Sequence, residues 1–297
     1  MRNVICFILI SAFCLFLPLE KTEAFVPRAP HLFYMVIQKI KQPAGLITLQ
    51  TRKIIRAPQG SDPQMDEPEA SVLPGSKIPG PGTPVPGSIT LNEKLIYAPP
   101  DRLRVEVSSP DSIGFYVESD AGFIKVLNDK TIALEKSPLD FYTDVLLYRD
   151  YESLELKLAA EGIDTERVAF RRYGDRICYV VGRPLEKGKP FPGLWIEKES
   201  FFPVRYILIK KGWALEFRYE NWQQVSRTWY PMETDIFMDG QKIAEIRVSH
   251  VELASGFSPD LFEVEGLKNT YPGADTRSPD KIRDLDRQLE EFKKLYE

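Results

Sequence analysis

Residues that could perform acid–base, nucleophilic or metal chemistry are sparse in this sequence. The 297 residues include two histidines and three cysteines, and no HExxH, GxSxG, P-loop or CxxC pattern is present. The recognisable motifs for metal, acyl-transfer and phosphoryl chemistry are therefore missing. His31, His250 and Cys178 all fall within predicted helices or strands, so we interpret them as structural. The 43 acidic residues leave a glycosidase-type carboxylate pair as an enzymatic alternative, but we predict a non-catalytic protein without a cofactor or metal.

The chemistry that the sequence does favour is the burial of apolar groups. Apolar and aromatic side chains recur at every second position of several predicted strands, which places them on one face of a sheet. That face could be an ordinary core covered by helices, or a cavity that opens to accept acyl chains, and composition does not decide between them. Each buried methylene contributes about 0.8 kcal/mol, so a chain of about 14 carbons would supply roughly 10 kcal/mol. The candidate lipid-contacting residues are Leu103, Val105, Val107, Trp195, Tyr206, Leu208, Trp213, Leu215, Phe217 and Tyr219.

A run of antiparallel strands must position this face. Within residues 191–253, apolar Trp213, Leu215, Phe217 and Tyr219 alternate with more polar neighbours, and Asp239-Gly240 supplies the two positive φ angles of a type I′ turn. Such a meander must curl or be covered to protect its apolar face. Further strands are predicted at 46–55, 88–97, 103–107, 113–117, 122–127, 168–173 and 177–181.

Three helices interrupt or flank the strands. Apolar residues recur at helical spacing over 29–42 and over 137–160, where Ser137 is a plausible cap and Pro138 occupies the first helical position. Residues 254–276 are predicted to be irregular. An amphipathic helix is predicted over 278–296, within a C-terminal segment 277–297 that either packs on the body or binds a partner.

Residues 57–87 form a Pro/Gly-rich, acidic stretch without aromatic side chains. Such a composition buries too little apolar surface to offset the entropy of ordering. We interpret the stretch as a disordered insertion in a hairpin; a linker between two domains is the alternative.

The first 24 residues resemble a cleaved secretory signal, with Arg2 before an apolar run and small residues before the predicted cleavage site. A retained membrane anchor is the alternative. Cys6 and Cys14 would leave with the signal, so Cys178 would be the only thiol of an exported chain. The net charge of −4 and the pI of about 5.5 argue against nucleic acid as a partner.

Several diffuse motifs resemble the LolA/LolB-like family of periplasmic lipoprotein carriers. They are the strand–proline–strand segment 95–107, the hairpin from Leu194 to Arg205, the Trp229-Tyr230-Pro231 strand, and the segment 257–262 that ends in Leu-Phe. The resemblance covers roughly residues 30 to 265 apart from the insertion. In the carriers an arginine just before the turn proline holds a lid shut; here that position is Pro99, and Arg102 and Arg104 are out of register.

This resemblance implies an α+β fold in which a curved antiparallel sheet forms an incomplete β-barrel, with helices covering its concave face, over residues 25–276. It implies a periplasmic protein that binds lipid or lipoprotein acyl chains and moves them toward the outer membrane, with an inner- or outer-membrane protein as a possible partner. The alternative that it implies is a sensor like the regulator RseB, which would bind a membrane protein partner through the insertion or the terminal helix.

Overall fold

The computed structural model describes residues 26–41, 45–55, 88–110, 112–148, 150–184, 188–210 and 212–273. The predicted signal segment 1–24, the insertion 57–87 and the terminal helix 277–297 lie outside these residues.

Thirteen antiparallel strands form one open sheet. They are β1 (Gly45–Ile55), β2 (Ser88–Ala98), β3 (Arg102–Ser108), β4 (Ile113–Ser119), β5 (Gly122–Leu127), β6 (Lys130–Ala133), β7 (Val168–Tyr173), β8 (Arg176–Val181), β9 (Gly193–Glu197), β10 (Pro203–Lys210), β11 (Trp213–Val225), β12 (Thr228–Met238) and β13 (Gln241–Ala254). Their order is β6-β5-β4-β3-β2-β1-β13-β12-β11-β10-β9-β8-β7. The sheet is therefore two meanders joined where β1 pairs with β13, and its edges are β6 and β7.

Three α-helices and two 3₁₀ helices accompany the sheet within the described residues. They are α1 (Ala29–Ile40), the first 3₁₀ helix (Pro138–Val145), α2 (Tyr151–Ala160), the second 3₁₀ helix (Pro259–Phe262) and α3 (Val264–Thr270). Buried residues of α1, the first 3₁₀ helix and α2 share one hydrophobic core with one face of the sheet. We call that the inner face and the opposite one the outer face.

The chain after β13 packs on the outer face of the N-terminal meander. Phe262 and Val264 join Ile96, Val117 and Ile124 in a separate cluster. The segment then reaches the sheet edge, where Thr131 of β6 bridges Gly273 in parallel. This contact covers part of an edge that would otherwise expose unpaired backbone groups.

Most predicted elements are present, with three corrections. The single helix predicted over 137–160 is wrong, because Asp150 accepts a hydrogen bond from the Ser153 backbone N–H at 2.7 Å and so starts α2 after a break. Ser137 makes no capping bond; its hydroxyl donates to the Asp140 carboxylate instead. The stretch predicted to be irregular contains the second 3₁₀ helix and α3.

The predicted turn at Asp239-Gly240 is confirmed, with φ of 48° and 83° at the two residues. The short edge strand β6 was not predicted, because its four residues are too few for an alternation to be recognised.

Candidate functional site

A cavity of about 190 Å³ lies on the inner face of the N-terminal meander, under the start of the first 3₁₀ helix. Apolar side chains of β1, β2, β3 and β5 line most of it, among them Ile54, Leu91, Val107 and Leu127. Gly114 of β4 also lines it. In the strand register Gly114 lies between Val107 of β3 and Leu127 of β5, and it has no side chain. We call this space the inner cavity.

Charged side chains form one end of the inner cavity. Arg52 lies with its Nε 2.8 Å from Glu93 Oε1, and its Nη1 donates to Asp140 Oδ1 at 2.9 Å. Lys125 approaches the other oxygen of Asp140 at 3.4 Å. Arg52, Glu93 and Asp140 are each less than 5% exposed. Buried charges are tolerated only when they are paired in this way.

The sheet register brings these residues together although they are far apart in sequence. Gln50 is opposite Glu93 across β1 and β2, and Tyr116 is opposite Lys125 across β4 and β5. All four side chains point to the inner face because strand residues alternate between faces. Gln50 Nε2 donates to Glu93 Oε2 at 2.7 Å, so two side chains of β1, Gln50 and Arg52, hold that carboxylate.

Burial and the neighbouring charges shift the pKa values of Asp140 and Tyr116. Burial by itself would raise the pKa of Asp140, but Lys125 and Arg52 outweigh it and hold that pKa well below its usual range. Burial, with Asp140 adding to it, raises the pKa of Tyr116 well above its usual value. Tyr116 is therefore a neutral hydroxyl that retains its proton for donation.

Two donors at the inner cavity have no hydrogen-bond acceptor among the described residues. They are Nη2 of Arg52 and the hydroxyl of Tyr116, and both are buried. Both residues line the inner cavity. A buried donor without an acceptor is uncommon in a folded protein and costs about 1–3 kcal/mol.

The first 3₁₀ helix is bound to both meanders by polar contacts. Gln50 of β1 donates to the Tyr142 hydroxyl at 2.8 Å, and Arg52 donates to the Leu139 carbonyl at 3.3 Å. From the other meander, the Tyr219 hydroxyl donates to the Tyr142 carbonyl at 2.7 Å. These three hydrogen bonds form what we call the latch, and the Arg52–Asp140 pair is not part of it.

At its C-terminal end the same helix is held by a second charge group. Lys136 contacts Asp144 at 2.6 Å and Glu118 at 2.5 Å, and Lys157 of α2 lies 3.5 Å from Asp144. Burial raises the pKa of Asp144, and the two lysines only partly oppose that rise. This group therefore joins α2, the 3₁₀ helix and β4.

Most of the predicted lipid-contacting residues lie in the filled core, away from the inner cavity. Seven of them belong to the cluster that packs against the helices, and each is less than 5% exposed; they are Leu103, Val105, Tyr206, Leu208, Leu215, Phe217 and Tyr219. Val107 is the one that lines the inner cavity.

Two predicted residues do not belong with the others. Trp195 pairs with Arg205 at an outward position and packs with Cys178, Val180 and Val204 on the outer face. Trp213 lies at the start of β11 and is 54% exposed. The alternation places Trp213 on the inner face with Leu215, Phe217 and Tyr219. It is exposed because the helices do not cover this end of β11.

Sequence reasoning missed the polar residues of the site. In β1, Thr48, Gln50 and Arg52 occupy the positions that alternation assigns to the buried face, and Glu93 does so in β2. Polar residues at inward positions were the available signal. Their mutual pairing depends on a strand register that one sequence does not reveal.

The two arginines that follow the turn proline do not contact the inner helical segment. Arg102 donates to the Pro99 carbonyl at 3.3 Å, and Arg104 donates to the Leu261 carbonyl at 3.3 Å on the outer face. Arg52 of β1 is the arginine that contacts the inner helical segment.

Two other spaces have polar or exposed walls. An open depression of about 560 Å³ is larger than the inner cavity, but Thr51, Asn92 and Lys94 on its rim are exposed to solvent. A space of about 220 Å³ near Lys136 and Asp144 is lined by several further charged groups. Neither wall would shield a hydrocarbon chain from water.

Within the part of the chain that the structure describes, no three His, Cys, Asp or Glu residues are arranged to hold a metal ion. The same residues include no helix with the length and hydropathy needed to cross a membrane.

Three solved structures are similar to this chain, and one of them reaches a TM-score of 0.50. A LolA superfamily protein from Nitrosomonas europaea matches with a TM-score of 0.50 and 10% identity, over 80% of this chain and 98% of that one. A domain from Vibrio parahaemolyticus named for outer membrane lipoprotein sorting gives 0.44 and 13%, over 76% and 92%. A DUF1329 family protein from Desulfovibrio piger gives 0.41 and 12%, over 81% and 100%.

The predicted resemblance to LolA-like proteins is thus confirmed for the fold, as a large open antiparallel sheet with few helices. No family model matches the sequence, and no curated protein matches it either.

Proposed function

We propose that this protein binds the acyl chain of a lipid or lipoprotein between the inner face of the sheet and the first 3₁₀ helix, and carries it without catalysis. The observation that carries the proposal is the apolar inner cavity, which lies directly under a helix held by a small number of polar bonds. The likeness in fold to a LolA superfamily protein is consistent with it.

The size of the inner cavity indicates that the described conformation is closed. Ligand pockets usually measure about 300–1,000 Å³, whereas this one measures about 190 Å³. A full acyl chain therefore requires the 3₁₀ helix to move away from the sheet. We propose that breaking the latch extends the inner cavity toward the packed aromatic residues of the C-terminal meander.

The bonds of the latch are weak beside the free energy that burial of an acyl chain can supply. A hydrogen bond to a charged group contributes about 1.5–3 kcal/mol, and each neutral one about 1 kcal/mol. The three bonds of the latch then sum to roughly 4 kcal/mol, while a buried chain of about 14 carbons supplies roughly 10 kcal/mol. Acyl binding could offset the opening, and the empty protein would close again.

We propose an exported, periplasmic location with delivery toward the outer membrane. The support is the signal-like pattern of residues 1–24 and the absence of any motif for chemistry on the substrate. The sensor alternative relies on contacts through residues 57–87 or 277–297, which lie outside the described residues, so no contact in the structure favours it.

Binding of an uncharged apolar probe tests the proposal. Purified full-length protein should bind 1-N-phenylnaphthylamine with saturable fluorescence enhancement, and mass spectrometry after mild purification should detect co-purified acyl lipid. Monoacylglycerol should displace the probe. Failure of the probe to bind, together with no bound lipid, would overturn the proposal.

Two tryptophan substitutions at adjacent residues provide the control. Leu91 lines the inner cavity, whereas Thr90 is exposed on the outer face of the same strand. Leu91→Trp should weaken probe binding by about tenfold, the equivalent of about 1.4 kcal/mol, and Thr90→Trp should leave it unchanged. Equal effects of the two substitutions would place the binding space elsewhere.

A further inference from the structure

The two unsatisfied donors at the inner cavity point to a specific chemical group on the ligand. Arg52 Nη2 and the Tyr116 hydroxyl each lack an acceptor among the described residues, and both residues line the same space. Buried polar groups in proteins are usually paired with protein, water or ligand. An acceptor atom placed in the inner cavity could pair with both.

The charges around the inner cavity select the kind of acceptor. Among the described residues, Arg52 and Lys125 provide two positive charges, and Glu93 and Asp140 provide two negative charges at contact distance. The cluster is thus balanced without a ligand. A carboxylate or phosphate would bring an additional negative charge into a buried site, which is costly unless a further cation accompanies it.

A neutral carbonyl oxygen has no such cost. Its two lone pairs can accept from two donors at once, and the apolar walls formed by Leu91 and Val107 suit the hydrocarbon chain that would be attached to it. Ester and amide carbonyls of acylated molecules share this chemistry.

We propose that the inner cavity recognises the carbonyl oxygen of an acyl ester or amide, which accepts hydrogen bonds from Arg52 Nη2 and the Tyr116 hydroxyl. The inference rests on the proposed acyl-chain binding and adds to it the selection of neutral acyl groups over ionised fatty acids. Tyr116 is a binding residue in this proposal, and Arg52 both binds the ligand and positions the latch.

Competition against 1-N-phenylnaphthylamine at pH 8 tests the selectivity. The competitors are 1-monomyristoylglycerol as the ester, N-myristoylglycinamide as the amide, and myristate as the ionised acid, all below their aggregation concentrations. Ester or amide should bind about tenfold more tightly than myristate, a difference of about 1.4 kcal/mol. If only one of them does, the source of the carbonyl is also identified.

Removing one donor should reduce this selectivity without unfolding the protein. Tyr116→Phe should weaken ester binding by about fivefold and leave myristate and the probe nearly unchanged, because one neutral hydrogen bond is lost. Tyr206→Phe is the matched control for the ester-to-myristate ratio, which it should leave unchanged. Tyr206 also has a buried hydroxyl without an acceptor among the described residues, but it lies among the aromatic residues of β10 and does not line the inner cavity that holds the carbonyl.

Infrared spectroscopy of a ¹³C-labelled ester carbonyl provides a direct readout. The carbonyl band should move to lower frequency on binding, as hydrogen bonding requires, and should move back in part in Tyr116→Phe. An unshifted band, or myristate binding as tightly as the ester, would overturn the inference while probe binding still upheld the proposed function. No binding of the apolar probe would overturn both.

Discussion

The two meanders of the sheet offer different inner faces to the helices. In the C-terminal meander the inner side chains of β8 to β12 are apolar or aromatic except for Thr228 and Thr234, and they share one core with α1 and the first 3₁₀ helix. In the N-terminal meander the inner side chains include Gln50, Arg52, Glu93 and Lys125, and a cavity remains beside them. The more apolar surface is thus the filled one.

This difference teaches that apolar composition alone does not locate a binding space. Large apolar side chains fill the volume between sheet and helices to normal protein density. Charged residues have to satisfy fixed pairing geometry, and beside them Gly114 permits a close backbone approach, since a Cβ there would clash with the Val126 carbonyl oxygen. The space therefore lies where the packing is interrupted.

The largest expected effect concerns the buried charges. Arg52→Met would leave Glu93 buried without its cation and Asp140 with Lys125 alone, and we expect the free energy of unfolding to fall by about 4 kcal/mol. Chemical denaturation followed by tryptophan fluorescence measures it. Arg205→Met on the outer face is the control, because Arg205 is partly exposed and Glu216 keeps Arg218 as a second cation. An equal loss in both variants would contradict a special role for the inner charges.

The same leucine-to-alanine change should have unequal effects in the two meanders. Leu208 is fully buried in the filled core, so Leu208→Ala should lower the free energy of unfolding by about 3 kcal/mol. Leu91 is half-buried beside the inner cavity, and Leu91→Ala should cost about 1 kcal/mol. Thermal or chemical denaturation measures both losses. A larger loss in Leu91→Ala than in Leu208→Ala would show that the packing is looser in the C-terminal meander, and would locate the ligand space there.

Stability should fall in acid because of Asp140. Its pKa is lowered in the folded state, while the unfolded value is about 3.9. The stabilisation is therefore fully present above about pH 5 and is lost progressively as the pH falls below about 4 toward the lowered folded pKa, with a total on the order of 2 kcal/mol. Asp140→Asn should flatten this part of the profile.

Asp144 should behave in the opposite sense, since its folded pKa is raised. Its protonation favours the folded state as the pH falls. Asp144→Asn should therefore steepen the acid loss of stability in denaturation curves between pH 3 and 6, and a flatter curve would show that the two carboxylates have been assigned the wrong roles.

The smallest expected effect is an increase in stability. Tyr206→Phe removes a buried hydroxyl that has no acceptor among the described residues, so the free energy of unfolding should rise by about 1 kcal/mol. Tyr219→Phe is the comparison: it should lower the free energy by a similar amount, because that hydroxyl donates to the Tyr142 carbonyl. Calorimetric melting of both variants checks the sign.

Local patterns predicted the fold well because they report on one face of one element. The alternation in β3 and β11, the Asp239-Gly240 turn and the apolar spacing of α1 each depend on residues close in sequence. The break between the first 3₁₀ helix and α2 was missed, since both segments have apolar residues at helical spacing and only the Asp150 cap separates them.

The candidate site could not be predicted in the same way. Val107 was identified because it alternates with polar neighbours, but Arg52, Glu93, Tyr116 and Asp140 carry no local signal of their mutual contact. The Arg52–Asp140 pair spans 88 positions of the chain. It exists only because the register of β1 and β2 and the path of the first 3₁₀ helix bring the two groups together.

The amino-acid sequence by itself determined the alternation of side chains, the tight turns and the apolar faces that have to be buried, since these depend on backbone geometry over a few residues. The tertiary structure alone decided which apolar face is filled, where a cavity remains, and which donors meet there without an acceptor. Packing and charge pairing are set by distances across the sheet, and neighbouring residues in the chain do not encode them.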